Sequence, residues 1–398
     1  MTSGGPAFRE GVPGRRLHRP RIVAEIGTAH GGDLERARDL IAAAGESGAD
    51  TAKFQLVRAS EILHPASGDI ALPSGSVALF ERFRELERPE EFYAQLKEEC
   101  DSAGLRFLCT PFGHESAGIL RRIGVEEIKI ASPELNHFPL LREVSGYGLP
   151  LIISTGVSRL RDIDESLSVL PAGYPVQLLH CVTAYPAPEE DYSLRVLEPM
   201  RSLFGLPVGV SDHTMDAVLV PALSTLLGAS MVEKHITISR RNPGLDDPIA
   251  LEPDAFRRMA SSVHGIADRL SAARTTGQDA FLHQQRTEFA ALEERYGTQR
   301  VERVLGTPVK RLAPSEERNY GFTNRSIHAL RSLRPGERID QTNVAILRSE
   351  KNLAPGLHPR YWDLLQGRRL GQAVADGEGL TWDHVLSPSD PENPDSPS

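Results

Sequence analysis

RIVAEIGTAHGGDLERARDLIAAAGESGADTAKFQ, residues 21–55, holds one strand, one helix and the start of the next strand. Its opening RIVAEIG is a short apolar run of strand length. Asp33 stands where a helix N-cap belongs, because its carboxylate accepts from N–H groups that the first turn leaves without partners. Leu34, Ala37, Leu40, Ile41 and Ala44 then recur at three- and four-residue spacing and paint one apolar face. Gly48 lies near the expected helix end, and TAKFQ opens a second apolar run. No Gly-x-Gly-x-x-Gly follows the first strand, which argues against a dinucleotide site.

Outward from this unit the same texture repeats. Apolar runs at 21–27, 51–55, 106–110, 127–131, 150–154, 176–180, 207–211 and 230–236 are separated by stretches with helical spacing. Continuous apolar runs suit strands buried on both faces, as parallel sheets require. Pro89 can open the second helix after an atypical loop at 58–88, and 254–272 offers a helix after the eighth strand. Eight strand–helix repeats predict an α/β fold, a closed (β/α)₈ TIM barrel over 21–272. Residues 273–320 are polar and partly helical, and read as an extended connector. Turn signals and alternation predict a small β-rich domain at 321–386. Residues 1–20 read as a flexible N-terminus, and the polar, proline-rich stretch 387–398 as a disordered tail.

The 398 residues, 40% hydrophobic, are enough for a large core without disulfides. Cys100, Cys109 and Cys181 lack paired spacing and read as buried strand residues, so a reducing cytoplasmic location is expected. Neither a signal peptide nor an apolar run of about 18 residues is apparent, so no membrane partner is expected. With a net charge of −9 and dispersed basic residues, nucleic acid is not an expected partner either.

In such a barrel the active site lies at the C-terminal ends of the strands. Polar residues collect there: Glu25, Lys53, Gln55, Thr110, Lys129, Ser132, Ser154, Thr155, His180, Ser211, Asp212, His213, Glu233, Lys234 and His235. Lys53, Lys129 and Lys234 lie inside apolar runs, and a buried lysine needs an anionic partner. Pairing with Glu25, Glu134 or Glu233 would only hold the rim together. Three lysines beside the hydroxyls of Thr110, Ser154 and Ser211 also suit a phosphate and a carboxylate. His213 and His235 end adjacent strands, which lie about 4.8 Å apart, so both can reach one metal ion. Two hydrogen-bonded histidines without a metal are the alternative. His30, His137 and His180 read as hydrogen-bonding groups of loop or core.

The segments AEIGTAHGGDLERA, GADTAKFQ, FLCTPF, EIKIASPELNHFPLL, LIISTG, LLHCVTAYPAPEEDYSL, GLPVGVSDHT and GASMVEKHIT run in order from residue 24 to 237. Through them the chain resembles the sialic acid synthase family, which includes N-acetylneuraminate, legionaminate and pseudaminate synthases. Residues 322–386 resemble the family's antifreeze-protein-like (SAF) domain. The resemblance implies that His213 and His235 hold a divalent metal ion, Mn²⁺ first, with Mg²⁺ or Co²⁺ as alternatives. It implies that Lys53, Thr110, Lys129, Ser132, Ser154 and Ser211 grip phosphoenolpyruvate, and that Glu25 is the acid/base or water-positioning carboxylate. Gln55, Glu134, Tyr185 and Asp246 would line the sugar site. Arg325 would reach that site from the small domain of a partner subunit in a domain-swapped homodimer, carried there by the long connector.

The chain departs from the family pattern at Ala29, Ser193, Ala250 and Asn324, where polar or charged residues are usual. These positions are expected to face the acceptor. The reaction implied is condensation of phosphoenolpyruvate with an aldehyde sugar such as N-acetylmannosamine, giving a nine-carbon 2-keto sugar acid and phosphate. The alternatives are the same condensation on another aldehyde in specialised biosynthesis, and a non-catalytic sugar-binding protein.

Overall fold

In a computed structural model, which describes residues 19–72 and 75–386, eight parallel strands form the ring that the apolar runs predict. They are β1 (Arg21–Gly27), β2 (Thr51–Leu56), β3 (Arg106–Pro111), β4 (Ile128–Ile130), β5 (Leu151–Ser154), β6 (Val176–Cys181), β7 (Val208–Asp212) and β8 (Met231–His235). Ladders join them in the order β3-β2-β1-β8-β7-β6-β5-β4, and β3 lies alongside β4 to complete a nearly closed barrel. Successive side chains in a strand face opposite ways. One parity points to the surrounding helices; the other fills the ring, where Val23, Leu108, Ile152, Leu179 and Met231 form an apolar floor.

The first helix, α1 (Leu34–Glu46), starts as its sequence dictates: the Asp33 carboxylate accepts from the Glu35 and Arg36 amides. Ala37, Leu40, Ile41 and Ala44 are buried, as the spacing predicts. Pro89 precedes α2 (Glu90–Ser102), whose Cys100 is buried on a helix where a strand position was expected. The loop at 58–88 carries the short helices Ala59–Ile62 and Leu79–Arg84 and the hairpin Asp69–Leu72/Gly75–Ala78. Val57, Ile62, Leu63, Leu79, Leu86 and Phe112 give this region an apolar core of its own.

The polar stretch after the barrel is not a free connector. Helices α3 (Pro253–Thr276), α4 (Gln278–Tyr296) and α5 (Thr298–Leu305) pack against the barrel, with Phe289, Leu292, Val301, Val304 and Leu305 joining its main core. Beyond them the Glu316 carboxylate, fully buried, accepts from the amides of Val157 and Thr183 at 2.7 and 2.6 Å. Few large apolar residues proved enough to seat the segment, because one buried carboxylate satisfies two loop amides as well.

The small domain pairs β9 (Arg325–Ala329) antiparallel with β10 (Val344–Arg348) over a core of Ile327, Leu333, Ile339, Val344, Leu365, Leu370 and Leu380. It sits on its own barrel. Asn136 bonds both backbone groups of Arg325, and Lys351 N–H donates to Ser67 O at 3.1 Å. In this structure of one chain, Arg325 meets the barrel of its own chain. The predicted tail at 387–398 and nearly all of the predicted N-terminal segment lie outside the described residues.

Candidate active site

Above the apolar floor the inward parity turns polar. Glu25, Lys53, Gln55, Thr110, Lys129, Ser132, Ser154, Tyr185, Ser211, His213, His235 and Asp246 line one cavity of about 240 Å³. The barrel thus brings twelve of the fourteen anticipated side chains together, drawn from seven strands and from the loops after β4, β6, β7 and β8.

Lys53 Nζ lies 3.0 Å from Glu25 Oε2 and 2.8 Å from Glu233 Oε1, all three nearly fully buried. Ser211 Oγ donates to the same Glu233 oxygen at 2.9 Å. Burial alone would raise the Glu233 carboxyl, but the charges of Lys129 and Lys53 hold it down at about 2. Gln55 Nε2 donates to Glu25 Oε1 at 2.8 Å and so fixes the Glu25 plane. Both sequence alternatives for Lys53 meet here: it is paired with carboxylates, and it faces the cavity.

Lys129 is different. Its ammonium donates to Ser154 Oγ at 2.6 Å and Ile130 O at 3.0 Å, with no carboxylate at ion-pair distance among the described residues. Burial pulls it down to about 8. Thr110 Oγ is buried and finds no hydrogen-bond partner among the described residues. A buried hydroxyl in that condition costs about 1–3 kcal/mol, so the site is built for an acceptor from outside the chain. Ser132 Oγ accepts from Gly156 N at 2.9 Å. A Cβ at Gly156 would stand 2.1 Å from Thr183 Oγ1, so only glycine lets this loop approach the rim so closely.

Across the cavity the rings of His213 and His235 lie 5.5 Å apart. His213 Nδ1 donates to Val182 O at 2.8 Å, which leaves Nε2 as the nitrogen with a lone pair. Burial keeps His235 neutral, at about 3. Tyr185 stacks on His213 with centroids 4.2 Å apart. Burial lowers His213, but Cys181 and the Val182 carbonyl outweigh it and raise the group above its ordinary value. Once His213 is deprotonated, the two imidazoles fit a divalent ion whose other positions go to water and substrate; the described residues hold no cluster of three or more His, Cys, Asp or Glu ligands. Cys181 also lines the cavity, its Sγ 4.0 Å from His213 Nδ1, but that nitrogen is committed to Val182 O.

Several expectations need correction. Lys234 points away from the cavity and is held by Asp212 Oδ2 at 2.5 Å and Thr214 O at 2.8 Å, so it braces the outer face. Glu134 and Arg325 do not line the cavity. Arg325 is fully buried, its guanidinium 3.0 Å from Glu134 Oε1 and bonded to the carbonyls of Glu61, Phe112 and Ile346. Its cross-strand neighbour Arg348 shares the same Glu134 oxygen at 2.6 Å and is the small-domain arginine that does line the cavity. Like charges opposite each other on a sheet repel, so Glu134 is what permits this pair. Ser193 and Ala250 do not line the cavity, and Ala29 lines an adjoining one. His30, His137 and His180 are hydrogen-bonded, to the Gly32 amide, the Leu140 amide and the Tyr192 carbonyl.

Arg348 was missed because nothing in NVAILRSE distinguishes it; its role follows from where the small domain docks. Glu233 was placed among the polar strand ends and as a lysine partner, and its place two residues before His235 gives it the same inward parity.

The description NeuB family matches residues 40–275, and SAF domain matches 324–386. The spore coat polysaccharide biosynthesis protein SpsE of Bacillus subtilis, in its crystal structure, is similar with a TM-score of 0.76 and 30% identity, covering 94% of this chain and 97% of that one. An N,N'-diacetyllegionaminic acid synthase of Legionella pneumophila is 30% identical over 92% of this chain and 94% of its own length. The N-acetylneuraminic acid synthetase structure from Leptospira borgpetersenii, in complex with citrate, has a TM-score of 0.60 at 28% identity, covering 71% of this chain and 94% of that one. With this barrel, this ring of inward polar groups and a matching C-terminal domain, the chain belongs to the NeuB family of synthase-type enzymes.

Proposed function

We propose that this enzyme condenses phosphoenolpyruvate with the aldehyde of an open-chain N-acetylhexosamine-like sugar, releasing phosphate and a 2-keto acid three carbons longer than the acceptor. The observation that carries the reading is Lys129, a buried ammonium with no carboxylate at ion-pair distance among the described residues, lining the same cavity as the Thr110 hydroxyl, which finds no hydrogen-bond partner among them. Together with Lys53, Ser132, Ser154 and Ser211 they would hold the phosphate and carboxylate of phosphoenolpyruvate. His213 and His235 would hold a divalent ion, Mn²⁺ first, which when bound supplies Lewis-acid polarisation of the acceptor aldehyde.

The remaining chemistry falls to the chain's own groups. The cavity must set the enol carbon within about 3–3.5 Å of the aldehyde carbon. The new C–C bond leaves positive charge at the enol carbon, and water adds there. Glu25, oriented by Gln55 and Lys53, would position that water and take its proton. Collapse of the tetrahedral intermediate breaks the C–O bond and frees phosphate. Tyr185, Asp246 and Arg348 stand where the acceptor would lie.

Phosphate release from phosphoenolpyruvate with a panel of aldoses tests the reading. Release that depends on an N-acetylhexosamine supports it; none with any aldose overturns it. The homodimer implied by the family resemblance belongs to the proposal too. The Glu134 contacts serve equally whether the small domain closes on its own barrel, as here, or on that of a second copy. Mixing His213→Ala with Arg348→Ala chains decides: regained activity means exchange, and none in proven heterodimers means closure.

A further inference from the structure

We infer that Glu316, assisted by Lys310 and Asn324, is a positioning residue for the phosphoenolpyruvate wall of the cavity. From the segment after α5 these side chains fix the loop 155–157, and through it the Ser132 hydroxyl. The inference rests on the proposed condensation. The loop follows Ser154, whose hydroxyl receives the Lys129 ammonium, and its Gly156 amide is the group that bonds Ser132 Oγ. With a lone pair so occupied, the Ser132 hydroxyl sends its own proton away from the loop. Where that hydroxyl points is therefore set by where Gly156 stands.

Three side chains of one segment hold the loop. Lys310 Nζ donates to Thr155 O at 2.9 Å. Glu316 Oε1 accepts from Val157 N at 2.7 Å, and Asn324 Nδ2 donates to Val157 O at 3.1 Å. Both backbone groups of Val157 are thus held by side chains 159 and 167 residues away. Val157 has a φ of 39°, in the left-handed region that a β-branched residue rarely adopts. Such a conformation persists only where the surroundings impose it. The same Glu316 oxygen accepts from Thr183 N at 2.6 Å, so the loops after β5 and β6 hang from one atom. A Cβ at Gly156 would lie 2.9 Å from Ser132 Oγ and 3.1 Å from Glu316 Oε1, so carboxylate, loop and hydroxyl converge on this glycine. Apolar contacts of α4 and α5 already seat the segment on the barrel. A fully buried carboxylate bonded to two loops of the cavity does something further: it fixes their position through charge-assisted bonds. Asn324 itself does not line the cavity, whereas its neighbour Thr323 does.

Calorimetric titration of phosphoenolpyruvate into the full-length protein, beside initial rates, tests the inference. Glu316→Ala should raise the phosphoenolpyruvate Kd about tenfold, roughly what one hydrogen bond to a charged group contributes. The KM for phosphoenolpyruvate should rise with it while the KM for the acceptor stays. Glu316→Gln, which keeps one acceptor oxygen, should recover part of the loss, and Asn324→Ala should weaken binding about threefold by releasing Val157 O. Ser132→Ala should cost about as much as Glu316→Ala, and the double variant no more than Ser132→Ala alone, because both act at one hydroxyl. Val304→Ala loosens the core under α5 and should lower Tm with an unchanged Kd. Losses that multiply in the double variant, or that Val304→Ala reproduces at equal loss of Tm, mean a merely structural Glu316 and overturn the inference. An unaltered Kd in Glu316→Ala and Asn324→Ala overturns it too and leaves the condensation standing. Should Glu316→Ala not fold, Asn324→Ala with Ser132→Ala completes the same cycle and decides. A wild type that binds no phosphoenolpyruvate overturns the condensation and this inference together.

Discussion

Lys53 and Glu233 face each other inside the barrel, Nζ to Oε1 2.8 Å, from strands on either side of β1. Removing the cation by Lys53→Met leaves Glu233 and Glu25 buried without it, a loss of about 3–5 kcal/mol in stability. Turnover should fall by about 10²-fold or more. Thermal melts and initial rates check both, and an undiminished rate would remove Lys53 from the site. Glu233 is held at about 2, below its unfolded value, so its contribution is complete above the ordinary carboxylate range and disappears as pH falls toward 2. Glu233→Gln should flatten acid unfolding in that window.

The pH dependence of phosphoenolpyruvate binding should come from Lys129. Burial sets its ammonium at about 8 in the free protein, so anion affinity should fall roughly tenfold per unit above that pH. Stability should move the other way. The unfolded chain binds the Lys129 proton more tightly, so the folded state gains as pH rises from about 8 toward the ordinary lysine value. Equilibrium dialysis with phosphoenolpyruvate, beside Lys129→Met, measures it. A flat affinity across this range would exclude the assignment.

His213→Ala and His235→Ala should each weaken Mn²⁺ binding, read by elemental analysis and by paramagnetic relaxation without turnover. Chelation should abolish phosphate release, and Mn²⁺ should restore it. Full turnover by protein proven free of metal would end the proposal.

If water adds at the enol carbon, the C–O bond breaks. Phosphoenolpyruvate labelled with ¹⁸O at the bridging position should then yield labelled phosphate, by mass spectrometry. Unlabelled phosphate would place cleavage at P–O.

Arg325→Ala should loosen the small domain without touching the cavity wall, because it strips a fully buried carboxylate of one partner. A cost of about 3–5 kcal/mol is expected, seen as faster hydrogen exchange along β9. Glu134→Gln should also separate the domain, since Arg325 and Arg348 then oppose each other with no counter-charge.

The sequence by itself determined the barrel. Strands buried on both faces must be continuously apolar, so the eight runs were visible without any long-range information. It also carried the parity that aims Glu233 and His235 inward and Lys234 outward, since successive residues of a strand face opposite ways. The tertiary structure alone decided what happens at Glu134. Arg325 is 191 residues from it and Arg348 is 214, and no local pattern says which arginine is buried and which meets the cavity. The same holds for Glu316, a carboxylate in a polar stretch that is buried because two loop amides from distant strands await it. Local spacing encodes which way a side chain leaves the backbone; what it meets there depends on surfaces that come together only when the domains pack.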